Sequence, residues 1–306
     1  LKQFCEWCAE QEIDSIRELD GEAFLEYKFE LRQSRAKTTI RNHFSTLRTF
    51  FRFCERIDAT ETGKNLATKL ETPDFSKGEL SRDDMMDFSD VERLLEYLNK
   101  FEYATLRHAV FTVFWHTGCR CGALRSLDLS DYKPVKKREH GRYALVQFQH
   151  RPNTGTPLKN KEEGKREVMI WPEYAEIIED YIAMHRPDRE DEYGRKPLLA
   201  SESGRVVGTT IQRYVYGATR PCIYNGGSCP FDRDPESCEA LSWNGSSKCP
   251  GSVSPHALRR GYVTAAPNAG QPKDVTGERV NMGGKILDKH YDKGSYDEKA
   301  ERRKEH

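Results

Sequence analysis

Thr117-Gly118-Cys119-Arg120-Cys121-Gly122-Ala123-Leu124-Arg125-Ser126-Leu127-Asp128-Leu129-Ser130-Asp131 is the stretch on which the reading of this chain turns. An apolar helical stripe (Leu106, Val110, Phe111, Val113, Phe114, Trp115) runs into His116-Thr117-Gly118. A glycine just past the last turn is a common helix end. Arg120 follows at once, before the apolar period resumes at Leu124, Leu127 and Leu129. An arginine on a rigid turn between two packed segments holds out a fixed fork of donors, which suits a phosphate.

Working outward, residues 143–150 and 166–171 are strand-like and flank the turn-rich 152–164, which predicts a hairpin with Lys159, Lys161 and Lys165 near its tip. A helix is predicted over 172–185. Ser254-Pro255-His256-Ala257-Leu258-Arg259-Arg260 opens a short helix near 256–266, and His256 and Arg259, at i and i+3, share a face. His290-Tyr291-Asp292 lies in a charged helix near 288–304. Upstream, a helix carrying Val91, Leu94, Leu95 and Leu98 is predicted, with Asp90 as a candidate cap. Residues 89–306 therefore read as a mostly helical domain with a small sheet, a Cys-rich insertion at 222–249 and a tail at 292–306.

Residues 1–59 show helical stripes and no strand-like alternation: Phe4, Trp7 and Cys8; then Leu19, Ala23, Phe24, Tyr27 and Leu31; then Leu47, Phe50, Phe51 and Cys54. Polar, turn-forming residues with little periodicity occupy 60–88, which reads as a linker. The fold class is thus mainly α with a small β-sheet (α+β), in two domains. The length of 306 residues suits that number. No apolar run approaches the ~20 residues of a membrane span, and no secretion signal opens the sequence, so the expected location is the cytoplasm.

The 49 Lys+Arg balance 49 Asp+Glu, and this zero sum argues against a uniformly basic nucleic-acid coat. The charges are nevertheless unevenly spread. From Leu31 to Arg56, seven Lys/Arg stand against Glu55 alone, a net of +6. Arg41, Arg48 and Arg52, at i, i+7 and i+11, share one helix face, with Lys37 a turn earlier. From Lys133 to Arg166, ten Lys/Arg against three Glu leave +7. Each patch alone fits a solvated surface; two of them on two linked domains suggest a clamp that touches phosphates around a duplex.

Taken singly, a Gly-x-Arg, a His-x-x-Arg and a tail tyrosine are ordinary features. In this order along the chain, the Arg120 block, a hairpin lysine, His256-x-x-Arg259 and Tyr291 resemble the catalytic domain of the tyrosine recombinases, the phage-integrase family. Thr117–Asp131 is similar to that family's Thr-Gly-x-Arg block, and His256–Arg259 to its His-x-Leu-Arg. The Ser-Pro-His-x-x-Arg-Arg form, the Cys-rich segment before it and the His-Tyr-Asp ending look most like archaeal integrases of the halophile type. The segment from Lys37 to Cys54 looks like the family's helical core-binding domain, so the resemblance covers nearly the whole chain.

The resemblance implies site-specific cutting and rejoining of DNA strands through a 3′-phosphotyrosine intermediate. Arg120 and Arg259 would neutralise the phosphate, Tyr291 would attack it, and His256 would hydrogen-bond it or take the tyrosine proton. A hairpin lysine would protonate the leaving 5′-oxygen. Hairpin spacing favours Lys161 for that role; the Thr156-Pro157-Leu158-Lys159-Asn160 context favours Lys159. Double-stranded DNA as partner and a homotetramer on synapsed duplexes follow from the same resemblance, with no cofactor for catalysis. Where the family usually has Leu-Gly-His or Leu-Gly-Trp before the tyrosine, this chain has Met282-Gly283-Gly284, and Ala123 stands where an acidic residue is common. A non-catalytic DNA-binding protein of the same fold is the alternative from another class; a type IB topoisomerase is a third.

The nine cysteines, an odd number without a secretion signal, argue against a disulfide scaffold. Cys222, Cys229, Cys238 and Cys249, in a Gly/Pro-rich stretch, are candidates for a structural zinc site that would order the segment before His256.

Overall fold

In a computed structural model, the chain forms two compact units, Leu1–Asp83 and Asp84–His306. The structure describes residues 1–61, 63–73, 85–139, 141–234 and 236–291, with 285 and 289–291 by backbone alone.

The first unit is a helical cluster of α1 (Lys2–Glu10), α2 (Gly21–Ser34), α3 (Lys37–Arg56) and the single turn α4 (Leu66–Lys69). Asp20 caps α2 by accepting the Ala23 N–H at 3.0 Å, a contact that satisfies one of the orphan donors of a helix start. Phe4, Trp7, Phe24, Tyr27, Phe44 and Phe51 interlock as the core. Part of the segment read as linker is folded into this unit. Leu66, Ala67 and Leu70 are buried in the same core, and Glu55 Oε1 accepts the Ala67 N–H at 2.9 Å. One turn is too short to show a period in the sequence.

The second unit begins with α5 (Phe88–Phe101) and α6 (Leu106–Thr117). Residues 108–115 of α6 are all buried, so this helix forms the axis of the unit. After the short α7 (Cys121–Ser126) come β1 (Tyr132–Arg138), β2 (Gly141–Phe148) and β3 (Arg166–Ile170), an antiparallel sheet in the order β1-β2-β3. The hairpin of β2 and β3 is the one the sequence predicts; β1 joins it as a further strand with a bulge between Lys133 and Lys136. Helix α8 (Pro172–Asp180) passes into one π-helical turn, Tyr181–His185. A two-residue hairpin, β4 (Ala200–Ser201) and β5 (Gly204–Arg205), precedes α9 (Gly208–Ala218) and α10 (Pro221–Tyr224). Then follow α11 (Pro255–Asn268), α12 (Lys273–Val280) and α13 (Gly284–Tyr291). The helix expected near 288–304 overlaps α13; its remainder lies outside the described residues.

Two local devices place the stretch around Arg120. Gly118 ends α6 in the left-handed conformation, φ 55°, with no room for a β-carbon beside Tyr262 and Val280. Beyond α7, Asp128 and Asp131 are almost fully buried, and each is paired: Arg205 donates to Asp128, and Arg151 grips Asp131 with two bonds of 2.9 and 2.6 Å. Arg195 ties Asp191 to Thr156 at 3.0 Å each. The network binds the loop after α7 to the base of the β2–β3 connection. Buried pairs of this kind cost several kcal/mol to break on one side only.

The insertion at 222–249 is loop with short helical turns. Its cysteines carry no disulfide and are half-buried. Burial raises the pKa of Cys222, and the nearby Cys249 and Cys229 thiols add to the shift. Among the described residues no three His, Cys, Asp or Glu side chains form a group that could hold a metal ion, so the Cys222, Cys229, Cys238 and Cys249 expected to share zinc do not form such a cluster. The loop is organised by other contacts. Arg220 donates to Ala240 O at 2.5 Å and Gly217 O at 2.9 Å, and Lys248 pairs with Glu239 at 2.6 Å.

Candidate functional site

A cleft of about 490 Å³ in the second unit is lined by Arg120, Lys159, His256 and Arg259, together with Arg166, Gln212, Tyr216 and Asn281. Four of the residues singled out from sequence are thus brought together from three separate elements. Arg120 stands at the start of α7, Lys159 in the β2–β3 connection, and His256 and Arg259 on the first turns of α11.

Each is held by a local reason. Ser254 caps α11 by accepting the Ala257 N–H at 3.2 Å, and Pro255 occupies the first helical position, where its missing N–H costs nothing. The positive end of α11 therefore lies on the cleft wall, a setting that favours an anion. Arg259 is 2 % exposed; it donates to Gly118 O and, at 2.7 Å, to Val280 O. Arg120 donates to Asn281 O at 3.2 Å.

The electrostatics match the geometry. Burial, and then repulsion from Arg120, lowers the Arg259 pKa to about 9, which still leaves it charged at neutral pH. Burial likewise lowers Arg120, and lowers Arg166 to about 10. His256 is pushed down by desolvation and by the charges of Arg260, Arg259, Lys159 and Arg120, so the imidazole stands neutral among cations. A cluster of like charges held this close is relieved by an anion, and a phosphodiester is one of the right shape for two guanidinium forks.

The two hairpin lysines part company. Both are exposed and neither is on a strand: Lys159 lies in a turn and lines the cleft, whereas Lys161 opens a 3₁₀ turn (Lys161–Gly164) at φ 50° and is not among the residues lining it. Tyr291 ends α13, and its side chain lies outside the described residues, as does that of His290. In the first unit Lys37, Arg41 and Arg52 are exposed on α3, while Arg48 is half-buried and donates Nε to Ala67 O at 3.2 Å. Sequence reasoning passed over Arg166 and Asn281. Arg166 entered only as a unit of charge; Asn281 sits just past α12 at φ 50°, where asparagine is a common helix stop.

No protein-family model matches the sequence, and no curated protein matches it. Solved structures do. A Tn1549 transposon integrase in complex with transposon right end DNA superposes with a TM-score of 0.62 at 14 % identity, covering 99 % of this chain and 91 % of that one. XerH site-specific recombinase bound to a difH substrate gives 0.59 at 14 %, over 97 % and 74 %. A lambda integrase dimer bound to a core site gives 0.56 at 11 %, over 90 % and 65 %. The chain has the tyrosine-recombinase fold. At these identities the likeness carries the fold, and the chemistry rests on the cleft.

Proposed function

We propose that this protein is a site-specific DNA recombinase that cuts and rejoins strands through a 3′-phosphotyrosine intermediate. The observation that carries the reading is the convergence of Arg120, Arg259, His256 and Lys159 on one cleft within a fold shared with recombinases. The two guanidiniums bind the non-bridging oxygens of the scissile phosphate and meet the charge that builds as phosphorus is attacked. Tyr291 Oη forms the bond to phosphorus, and its proton passes to neutral His256 or to water beside it. The bond from phosphorus to the 5′-oxygen breaks, and Lys159 gives that oxygen a proton. The phosphotyrosine keeps the energy of the bond, so a 5′-hydroxyl from another strand reverses the step and no cofactor is consumed. Lys161, exposed beside the turn, is left with duplex contact rather than proton transfer.

Double-stranded DNA is the partner, gripped by the cleft and by Lys37, Arg41 and Arg52 of α3. A homotetramer on two duplexes completes the reading. Met282-Gly283-Gly284, without a histidine or tryptophan, favours a second reading in which the fold binds DNA without cutting it. One experiment separates the two. Nicked duplexes bearing a randomised core are incubated with the chain and covalent adducts are recovered. Recombinase chemistry gives adducts with a consensus sequence that vanish in Tyr291→Phe; retained DNA binding with no adduct on any duplex supports the second reading.

A further inference from the structure

The carboxyl end of α12 contributes nothing to the steps above, yet it touches every arginine of the cleft. Its last carbonyls lack helical partners, as helix ends require. Three consecutive ones each take a guanidinium: Arg279 O from Arg166 Nε at 2.6 Å, Val280 O from Arg259 at 2.7 Å, and Asn281 O from Arg120 at 3.2 Å. Three mutually repelling cations thus share the negative end of one helix dipole.

That helix end is fixed from behind. The Arg279 side chain donates to His116 O at 2.7 Å, to Met169 O at 3.0 Å and to the Tyr262 hydroxyl at 3.1 Å, which ties α12 to α6, β3 and α11. Arg166 adds a second lock: it also donates to Gly164 O at 3.0 Å and stacks over Phe148 at 4.1 Å, so its donors face the protein as well as the cleft. Asn281 bridges in the other direction. Its Oδ1 accepts from Asn160 at 2.6 Å, and its Nδ2 donates to Glu163 O at 2.7 Å. Asn160 is the neighbour of Lys159, so the residue whose carbonyl holds Arg120 also holds the turn that presents the lysine.

We propose that Asn281 and Arg166 are positioning residues which, through the end of α12, set Arg120, Arg259 and Lys159 at a common distance from one phosphate. The inference rests on the recombinase reading for its chemistry, but its phosphate-gripping half stands apart from it.

The test has two arms, on the full chain with Asn281→Gly, Asn160→Ala and Arg166→Lys. Asn281→Gly keeps the left-handed turn and its carbonyl while deleting the bridge, and Asn160→Ala deletes the bridge from the far side on a half-buried turn. In the first arm, inorganic phosphate is titrated against arginine Nε–H resonances. Wild type is expected to bind with shifts at Arg120 and Arg259, and each variant to bind more weakly. In the second arm, adduct formation on duplexes recovered from the randomised library is expected to slow by roughly 10- to 100-fold at saturating DNA, with DNA affinity little changed. For Arg166→Lys the loss should shrink on a scissile methylphosphonate, whose neutral phosphorus leaves the arginines no charge to meet; a merely structural defect would persist there. Variants that match wild type in both arms, a wild type that binds no phosphate, or an undiminished loss on methylphosphonate would overturn the proposal. Weakened phosphate binding in the variants with no wild-type adduct on any duplex upholds the positioning role and removes the recombinase reading instead.

Discussion

A β-carbon placed on Gly118 would stand 2.6 Å from Cε1 of Tyr262, and as close to Val280 Cγ1. Gly118 also has φ 55°, a conformation that costs other residues about 1–2 kcal/mol. With overpacking added, Gly118→Ala should lose roughly 2–5 kcal/mol of stability, read as a lower urea midpoint at unchanged slope. Gly122, where an added β-carbon meets nothing within 4 Å, is the control: Gly122→Ala should hold or gain stability. Equal midpoints for the two variants would show that the α6–α11 contact is not tight. Because Gly118 O also receives Arg259, the strained variant should disturb the cleft as well as the core.

The lysine of the β2–β3 connection should be Lys159. Only Lys159 lines the cleft, and its charge is among those that depress the His256 pKa. Lys159→Ala should slow adduct formation by about 10²- to 10⁴-fold, the usual worth of a general acid. A 5′-bridging phosphorothiolate, whose sulfur leaves without a proton, should restore it. Lys161→Ala should cleave nearly as wild type. The reverse pattern, with rescue confined to Lys161→Ala, would move the acid to position 161.

How much of this was legible in the sequence depends on which atoms do the work. The long helices announce themselves because their buried side chains recur with the helical period; α6, buried continuously over residues 108–115, shows instead as a largely apolar run ended by Gly118. Strand β1 does not: it carries Lys133, Pro134, Lys136, Lys137 and Arg138, is buried only at Tyr132, and exists because β2 offers it an edge. The joining of Arg120, Arg259 and His256 could be expected from motif order. The role of α12 could not, since it acts through main-chain carbonyls that no residue letter encodes. The four cysteines are a different case: among the described residues no group that could hold a metal forms there, and Arg220 and Lys248 bond across the turns.

Acid should loosen the second unit before its carboxylates titrate. His108 is 1 % exposed, and its Nδ1 accepts the Ala104 N–H at 3.2 Å; burial lowers its pKa to about 4. His116, stacked on Tyr174 at 3.5 Å, is lowered to about 3 by burial and by Arg279. Both native pKa values lie below the unfolded value of about 6.5, so the unfolded chain binds more protons and stability rises with pH. It is full above pH ~6.5 and falls as the pH drops toward 4, by up to about 1.4 kcal/mol per pH unit for each histidine. Denaturant midpoints between pH 7 and 5 should show the slope, and His108→Asn, which keeps an acceptor near Nδ1 without a titrating ring, should reduce it to the share left by His116. An unchanged slope in that variant would assign the acid sensitivity elsewhere.

The basic face of α3 should divide into binding and structural residues. Arg41 and Arg52 are exposed, whereas Arg48 spends its Nε on Ala67 O and so helps fasten α4 to α3. A phosphate contact releases counterions, and each one lost should reduce the slope of log K against log salt by about 0.9 on duplex DNA. Arg41→Gln and Arg52→Gln should each show that reduction on a non-specific duplex while unfolding at the wild-type midpoint. Arg48→Gln should instead change the salt slope little and lower stability by about 1 kcal/mol, the usual net worth of a hydrogen bond. If all three variants shift the slope alike, the face is a single phosphate-binding stripe and the Ala67 contact is dispensable. If none does, α3 does not touch the DNA backbone, and the +6 of that region serves solubility alone.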